Sequence, residues 1–362
     1  MGIGKITLES MVKSTFWSGK KVLLTGHTGF KGSWLSFWLL EMGAEVFGYA
    51  LEPETDPTLF DQLKLGEHMH HQIGDIRDAN SIEKRVKESD PDVVIHMAAQ
   101  PLVLRSYKEP AYTWETNVLG TIYLMQALRN VKKKTAVVIV TTDKVYENRE
   151  LNYAYREEDR LGGHDPYSSS KASTEIAVSS WRSSYFGSGH PVRIATGRAG
   201  NVIGGGDWAE HRIVPDIIRA LSKKEVISVR SPQSVRPWQH VLEPLSGYLR
   251  LSEYLYENDD TEFQSAFNFG PLQGNSKTVK ELVESSLKVW PGDWSDDSDE
   301  RAPHEAGLLQ VSIEKAHSIL QWSPKWDFQH SVKETIQWYR DQLTCGDPIK
   351  LTSEQIKRYS HH

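Results

Sequence analysis

The chain has 362 residues, long enough for one large domain or two modest ones around a substantial buried core. Its net charge of -6, with 38% hydrophobic and 25% charged residues, gives no electrostatic reason to expect nucleic acid or an anionic membrane as partner, so any phosphate must be held by local groups. A single cysteine, Cys345, excludes an intramolecular disulfide and fits a reducing compartment. Met1 to Lys20 lacks an apolar core of signal-peptide length, Met1-Gly2 lacks the Ser or Thr at position six that myristoylation prefers, and no stretch reaches membrane-span length. A cytoplasmic location is expected.

The first informative stretch runs from Val22 to Trp34. The apolar Val22-Leu23-Leu24 reads as a buried strand that breaks at Gly26, and the dense apolar run Trp34 to Leu40 reads as a helix packed on its sheet. Gly26, Gly29 and Gly32 fall at positions 1, 4 and 7 of the turn between them. Without a Cβ they permit a tight reversal, close approach of backbone to ligand, and close packing of helix on strand. The helix N-terminus offers unpaired N–H groups and a positive dipole end to a diphosphate. Such a turn suits a dinucleotide.

Strand and helix patterns alternate after it. Glu45 to Ala50, His68 to Ile73, Asp92 to Met97 and Ala136 to Thr141 read as strands, with helices near Ser81 to Glu88 and Tyr112 to Arg129. This order predicts an α/β fold with a doubly wound parallel sheet that takes ligand at the carboxyl ends of its strands. His68 and His70 share a strand face without a third ligand nearby, so no metal is expected. Asn117, inside an otherwise apolar helix, must be hydrogen-bonded, either as a brace to backbone or near the active site. From about Gly200 the pattern loosens through Gly204-Gly205-Gly206 and a series of prolines. Helices follow at Pro215 to Ser222, Leu242 to Tyr254, Thr278 to Val289, Ile313 to Leu320 and Gln329 to Leu343, with an acidic loop over Pro291 to Asp299.

Two further stretches carry chemistry. Thr141-Thr142-Asp143-Lys144-Val145-Tyr146 ends the fifth strand, and Pro166-Tyr167-Ser168-Ser169-Ser170-Lys171 opens a long helix running to Phe186. Tyr167 alone of the fourteen tyrosines is followed four residues on by Lys, although chance gives about one such pair in a chain of this composition. The spacing puts both side chains on one helix face, where the ammonium is expected to lower the phenol's pKa toward neutrality.

The glycine spacing, with Tyr167 and Lys171, resembles the extended short-chain dehydrogenase/reductase family. Thr142-Asp143-Lys144 narrows the resemblance to nucleotide-sugar 4,6-dehydratases, and Gly26-His27-Thr28-Gly29-Phe30-Lys31-Gly32-Ser33-Trp34 is similar to those acting on CDP-glucose. Dehydratases acting on dTDP-glucose commonly have Glu where Lys144 stands. The likeness spans about Trp17 to Leu343 and takes in Arg198 to Trp208 and Val235 to Val241.

The resemblance implies a Rossmann-type domain over residues 18-200 and a smaller C-terminal α/β region over 201-362 that mainly binds the nucleotide sugar, the chain crossing back to the first domain. It implies NAD as cofactor, CDP-glucose as substrate, and a homodimer paired through the helices at Tyr112 to Arg129 and Tyr167 to Phe186. Gly26, His27, Thr28, Gly29, Phe30, Lys31, Gly32, Asp75, Ile76, Ala98, Ala99, Tyr167 and Lys171 are the expected cofactor contacts. Asp75 reads equally well as a helix cap. Thr142 and Tyr167 would share the reacting hydroxyl, and Lys171 would also grip the nicotinamide ribose. Asp143 is the expected acid for the departing water and Lys144 the base at C5, unless Lys144 is a fixed charge facing an acid or phosphate. Asn201 and Arg236 are expected near the sugar diphosphate. Arg212 and Arg301 are weaker candidates, and Trp208 and Trp238 suit stacking on a base or core packing equally.

Overall fold

The structure is a computed structural model that describes residues 14–187, 189–210, 212–272, 276–298, 308–344 and 346–361. Arg301, Cys345, His362 and the end of the acidic loop at Asp299 lie outside the described residues. The central sheet holds β1 (Lys21–Thr25), β2 (Glu45–Ala50), β3 (His70–Ile73), β4 (Val93–His96), β5 (Thr135–Val140), β6 (Val192–Ala199) and β7 (Ala266–Phe269). They lie in the order β7-β6-β5-β4-β1-β2-β3, all parallel. The order reverses between β1 and β4, and the crevice at their carboxyl ends is where such sheets take ligand.

The main helices are α1 (Phe30–Glu41), α2 (Ala79–Ser89), α3 (Gly120–Leu128), α4 (Pro166–Tyr185), α5 (Ile213–Lys223), α6 (Leu242–Glu257), α7 (Val279–Val289), α8 (Phe328–Leu343) and α9 (Pro348–His361). The strands read as unbroken apolar runs because both faces are covered. Val22 and Leu24 of β1 face a layer containing Trp34, Leu35 and Trp38 of α1 and Tyr248 and Leu249 of α6. Leu23 faces the opposite layer with Ile82 of α2, Leu124 of α3 and Val178 of α4. Side-chain alternation along a strand thus feeds two cores from one run.

Several boundaries differ from the sequence pattern. β3 begins at His70 rather than His68, and the helix expected over Tyr112 to Arg129 contains one π turn at Glu115–Leu119. Trp294–Asp296, in the segment expected to be a loop, pairs in parallel with Ile227–Val229. The periodicity gave no warning of β6, β7 or α9. After residue 200 the chain leaves the sheet for α5 and returns to it, since α6 packs against β5 and β6 and β7 pairs with β6. No described helix is long and apolar enough to cross a membrane.

Candidate active site

The glycine turn is built to approach something closely. Gly26 has φ +76°, and a Cβ there would lie 2.7 Å from the backbone nitrogen of Ala98; a Cβ on Gly32 would lie 2.1 Å from the carbonyl oxygen of Gly26. Gly29 stands at the N-cap of α1 and makes no side-chain capping bond, so the first N–H groups of Phe30, Lys31 and Gly32 are left to a ligand, as a diphosphate requires. The Thr28 hydroxyl donates to the carbonyl of Leu51, 2.9 Å away, and ties the turn to the end of β2. Ala98 lies half-buried beside Gly26, and Ala99 next to it is half-buried too.

Other expected cofactor residues have partners within the protein. His27 is fully buried under the turn, its Nε2 2.7 Å from Nδ1 of His71, and burial together with the neighbouring His71 holds its pKa down at about 3. It is therefore a neutral packing residue, and Gly48 lacks a Cβ where one would meet the His27 ring at 2.5 Å. Ile76 is buried against Gly120. Asp75 is gripped by the Arg77 guanidinium at 2.6 Å, while the cap of α2 is Asp78, which accepts from the N–H groups of Asn80 and Ser81. Asn117 is a brace: it accepts from the N–H of Gln100 and donates to the carbonyl of Gln100 and to Ser170.

Thr142, Asp143 and Lys144 leave the end of β5 as a short turn, and Tyr167 and Lys171 lie in the first turns of α4, which Asp165 caps. The tertiary fold brings them together. The Thr142 hydroxyl donates to Asp143 Oδ1 at 3.0 Å and also stabilises the ionised form of the Tyr167 phenol, so the three groups are neighbours. Burial pushes Tyr167 up to about 12, and Thr142 and Arg212 offset only part of this. The expected lowering by Lys171 is not the dominant influence. That ammonium donates to the Val140 carbonyl at 3.2 Å, and burial with the nearby charge of Lys31 brings it down to about 7.

Asp143 is 1% exposed. Its pKa is raised by burial and drawn back by Lys144, Thr142, Arg236 and Lys31. Its Oδ2 has no hydrogen-bond partner among the described residues, and a Cβ on Gly200 would strike that oxygen at 2.1 Å. Lys144 is half-buried beside it. Below the site, Glu175 pairs with Arg198 at 3.0 Å, both almost fully buried, and also accepts from Thr141 and Thr196. Arg198 donates to the Tyr146 hydroxyl as well.

On the substrate side, Arg236 is buried and its charge reaches Asp143. Arg212 is not a stray surface charge: Asp207 holds it at 2.9 Å, and its charge reaches Tyr167 and Lys31. Asn201 is half-buried, and its amide makes no hydrogen bond among the described residues. Trp208 packs edge-on to Tyr339 at 5.1 Å, and Trp238 is core, its indole donating to the Lys277 carbonyl at 3.0 Å. Trp34 donates to the Gly205 carbonyl and Tyr339 to that of Asp207, so α1 and α8 fix the loop that carries these residues. Among the described residues no group of three or more His, Cys, Asp or Glu could hold a metal. Glu175, four residues beyond Lys171, had a readable helical spacing; Gly200 and Tyr248 gave no local signal.

The chain is 44% identical over 355 residues, 96% of its length and 98% of the relative's, to a CDP-glucose 4,6-dehydratase of Salmonella typhimurium. It is 28% identical to a dTDP-glucose 4,6-dehydratase of Mycolicibacterium smegmatis over 92% of this chain and 97% of the other. Its fold matches the crystal structure of a dTDP-glucose 4,6-dehydratase from Bacillus anthracis in complex with NAD, with a TM-score of 0.74, 23% identity, and coverage of 91% of this chain and 99% of that one. The model of the GDP-mannose 4,6 dehydratase family matches residues 23–335, and the chain belongs to that family.

Proposed function

We propose that the chain uses NAD to convert CDP-glucose into CDP-4-keto-6-deoxyglucose. The observation that carries this reading is the buried Asp143, which accepts from Thr142 at 3.0 Å and has its other carboxylate oxygen without a hydrogen-bond partner among the described residues. An alcohol oxidation needs only the tyrosine and its partners, whereas dehydration needs a second acid beside the oxidised carbon. The glycine turn and the uncapped start of α1 fit a dinucleotide diphosphate. Preference for CDP-glucose rests on the 44% identical relative.

Bound NAD supplies the hydride acceptor for C4 and, after water has left, the hydride donor for C6. Tyr167 takes the proton of the C4 hydroxyl as the phenolate, a form that its burial disfavours and that a positive nicotinamide ring beside it would favour, and Thr142 hydrogen-bonds the same oxygen. The C4 ketone makes the C5 hydrogen acidic, because the resulting anion spreads into the carbonyl. Lys144 takes that proton while Asp143 protonates the C6 hydroxyl, which leaves as water. The conjugated enone then receives hydride at C6 and a proton at C5 from Lys144, and once the proton gained by Tyr167 is returned to Asp143 the net change is loss of one water.

Residues 18-200 hold the cofactor in this reading, and residues beyond 200 hold most of the nucleotide sugar through Arg236, Asn201 and Arg212. A homodimer through the helical stretch before Arg129 and α4 is supported by exposed Trp114, Leu119, Ile176 and Tyr185 on those elements. The chemical test is incubation with NAD and CDP-, dTDP-, UDP- or GDP-hexoses, followed by mass spectrometry. Loss of one water from CDP-glucose alone is expected. Water lost only from another sugar overturns the base preference, and unchanged mass throughout overturns the dehydratase reading.

A further inference from the structure

The turn that carries Thr142, Asp143 and Lys144 is held at both ends by side chains. Thr141 stands at its entry and donates through Oγ1 to Glu175. Tyr146 stands at its exit, its ring nearly parallel to that of Tyr155 at 5.2 Å. The Tyr146 hydroxyl accepts from Arg198 Nη1 at 2.9 Å and donates to Asn268 Oδ1 at 2.7 Å. Its proton is fixed in that direction, because a guanidinium only donates and the Asn268 amide nitrogen is already committed to the carbonyls of Tyr155 and Ser312.

Both tethers end on one ion pair. Arg198, on β6, donates from Nη2 to Glu175 Oε2 at 3.0 Å and from Nη1 to Tyr146 and to the Glu157 carbonyl. Glu175 takes Thr141 on its other oxygen. Thr141, Tyr146, Glu175 and Arg198 are all at most 5% exposed. Glu175 lies one helical turn beyond Lys171 and two beyond Tyr167, so the three share one face of α4. One buried pair therefore joins the helix that carries Tyr167 to both ends of the turn that carries Asp143. Apolar groups of the same volume would serve packing as well as a buried pair does, so what the pair adds is fixed direction between these elements.

We propose that Thr141 and Tyr146 are positioning residues for the dehydration step: through the Glu175–Arg198 pair they set the turn bearing Asp143 and Lys144 against the face of α4 bearing Tyr167 and Lys171. The inference rests on the roles proposed above for Asp143 and Lys144. Backbone bonds also hold the exit of the turn, from the Gly162 N–H to the Val145 carbonyl at 2.8 Å and from the Glu147 N–H to the Arg160 carbonyl at 2.9 Å. Loss of one hydroxyl therefore loosens the turn without releasing it.

The test compares the wild type with Tyr146→Phe, which keeps the ring and removes only the hydroxyl. Thr141→Val does the same at the entry and serves should the first variant not fold. Tyr359→Phe, which removes an equally buried hydroxyl bonded to Glu243 and Ser246 on α6, controls for lost stability alone. The first reading needs no substrate: amide hydrogen exchange over residues 141–147, followed by mass spectrometry, is expected to quicken about tenfold in the tether variants and not in the control. The second is stopped flow with NAD and CDP-glucose. Appearance of reduced nicotinamide, which reports C4 oxidation, is expected to stay within about threefold, while its disappearance, which follows water loss, slows about tenfold. Unmoved exchange in the turn, the same change in Tyr359→Phe, elimination at the wild-type rate, or equal slowing of both steps overturns the proposal. Failure of the wild type to dehydrate CDP-glucose would count against the proposed function, and the exchange reading would still decide whether the tethers hold the turn.

Discussion

Replacing Gly200 with Ala tests whether the placement of Asp143 limits the reaction. Gly200 has no positive φ, so an Ala there costs little in backbone strain. Its Cβ, however, would lie 2.1 Å from Asp143 Oδ2 and 3.1 Å from the ring of Pro237. Ordinary contact begins near 3.4 Å, so the carboxylate must retreat by more than 1 Å, and the short side chain yields before the backbone does. A misplacement of about 1 Å at a reacting group costs on the order of 100-fold in rate. We expect the turnover number for water loss to fall by about that factor, while NAD binding, the melting temperature and the first hydride transfer change little. In stopped flow, reduced nicotinamide should then accumulate in the variant, because oxidation at C4 outruns elimination. Wild-type turnover in a folded Gly200→Ala enzyme would refute the argument that Asp143 is held in a tight steric slot for the acid step.

Lys144→Met is expected to slow exchange of the C5 hydrogen with solvent deuterium roughly 100-fold to 10,000-fold; undiminished exchange, read by mass spectrometry, removes Lys144 from the role of base. Glu243 is fully buried, and burial raises it to about 7 despite hydrogen bonds from Tyr359, Trp326 and Lys325. A carboxyl with a raised folded pKa favours folding fully below its unfolded value and loses that contribution as pH rises through the folded value, so this group makes the protein more stable at pH 5 than at pH 7.5, by about 2 kcal/mol. Urea melts at the two pH values should show this difference shrink in Glu243→Gln, and an unchanged difference would exclude Glu243 as its source. Arg198→Met leaves Glu175 buried without its cation and should cost about 3 to 5 kcal/mol in urea unfolding; a loss under about 1 kcal/mol would mean that Thr141 and Thr196 suffice to hold the carboxylate.

The local signals were those in which one short stretch contains both the physical cause and the effect. Gly26, Gly29 and Gly32 announced a close backbone approach, and the fold places a carbonyl or amide where each of Gly26 and Gly32 would carry a Cβ. The apolar runs announced β1, β2, β4 and β5, because a strand covered on both faces has no polar side to show. Tyr167 and Lys171 announced themselves by helical spacing. β7 and α9 escaped notice because both lie beyond Gly200, where the pattern of the chain loosens.

What the sequence determined by itself was the parallel α/β plan, the close glycine turn and the helical spacing of Tyr167 and Lys171, since backbone periodicity and residue spacing are properties of neighbours in the chain. Tertiary structure alone decided where side chains point. It turned Lys31 from the turn toward Tyr248, buried His27 as a neutral ring against His71, assigned the cap of α2 to Asp78, and put the bare Cα of Gly200 against Asp143. Each of these is set by contact between segments far apart in sequence, and such contacts leave no periodic trace in either segment.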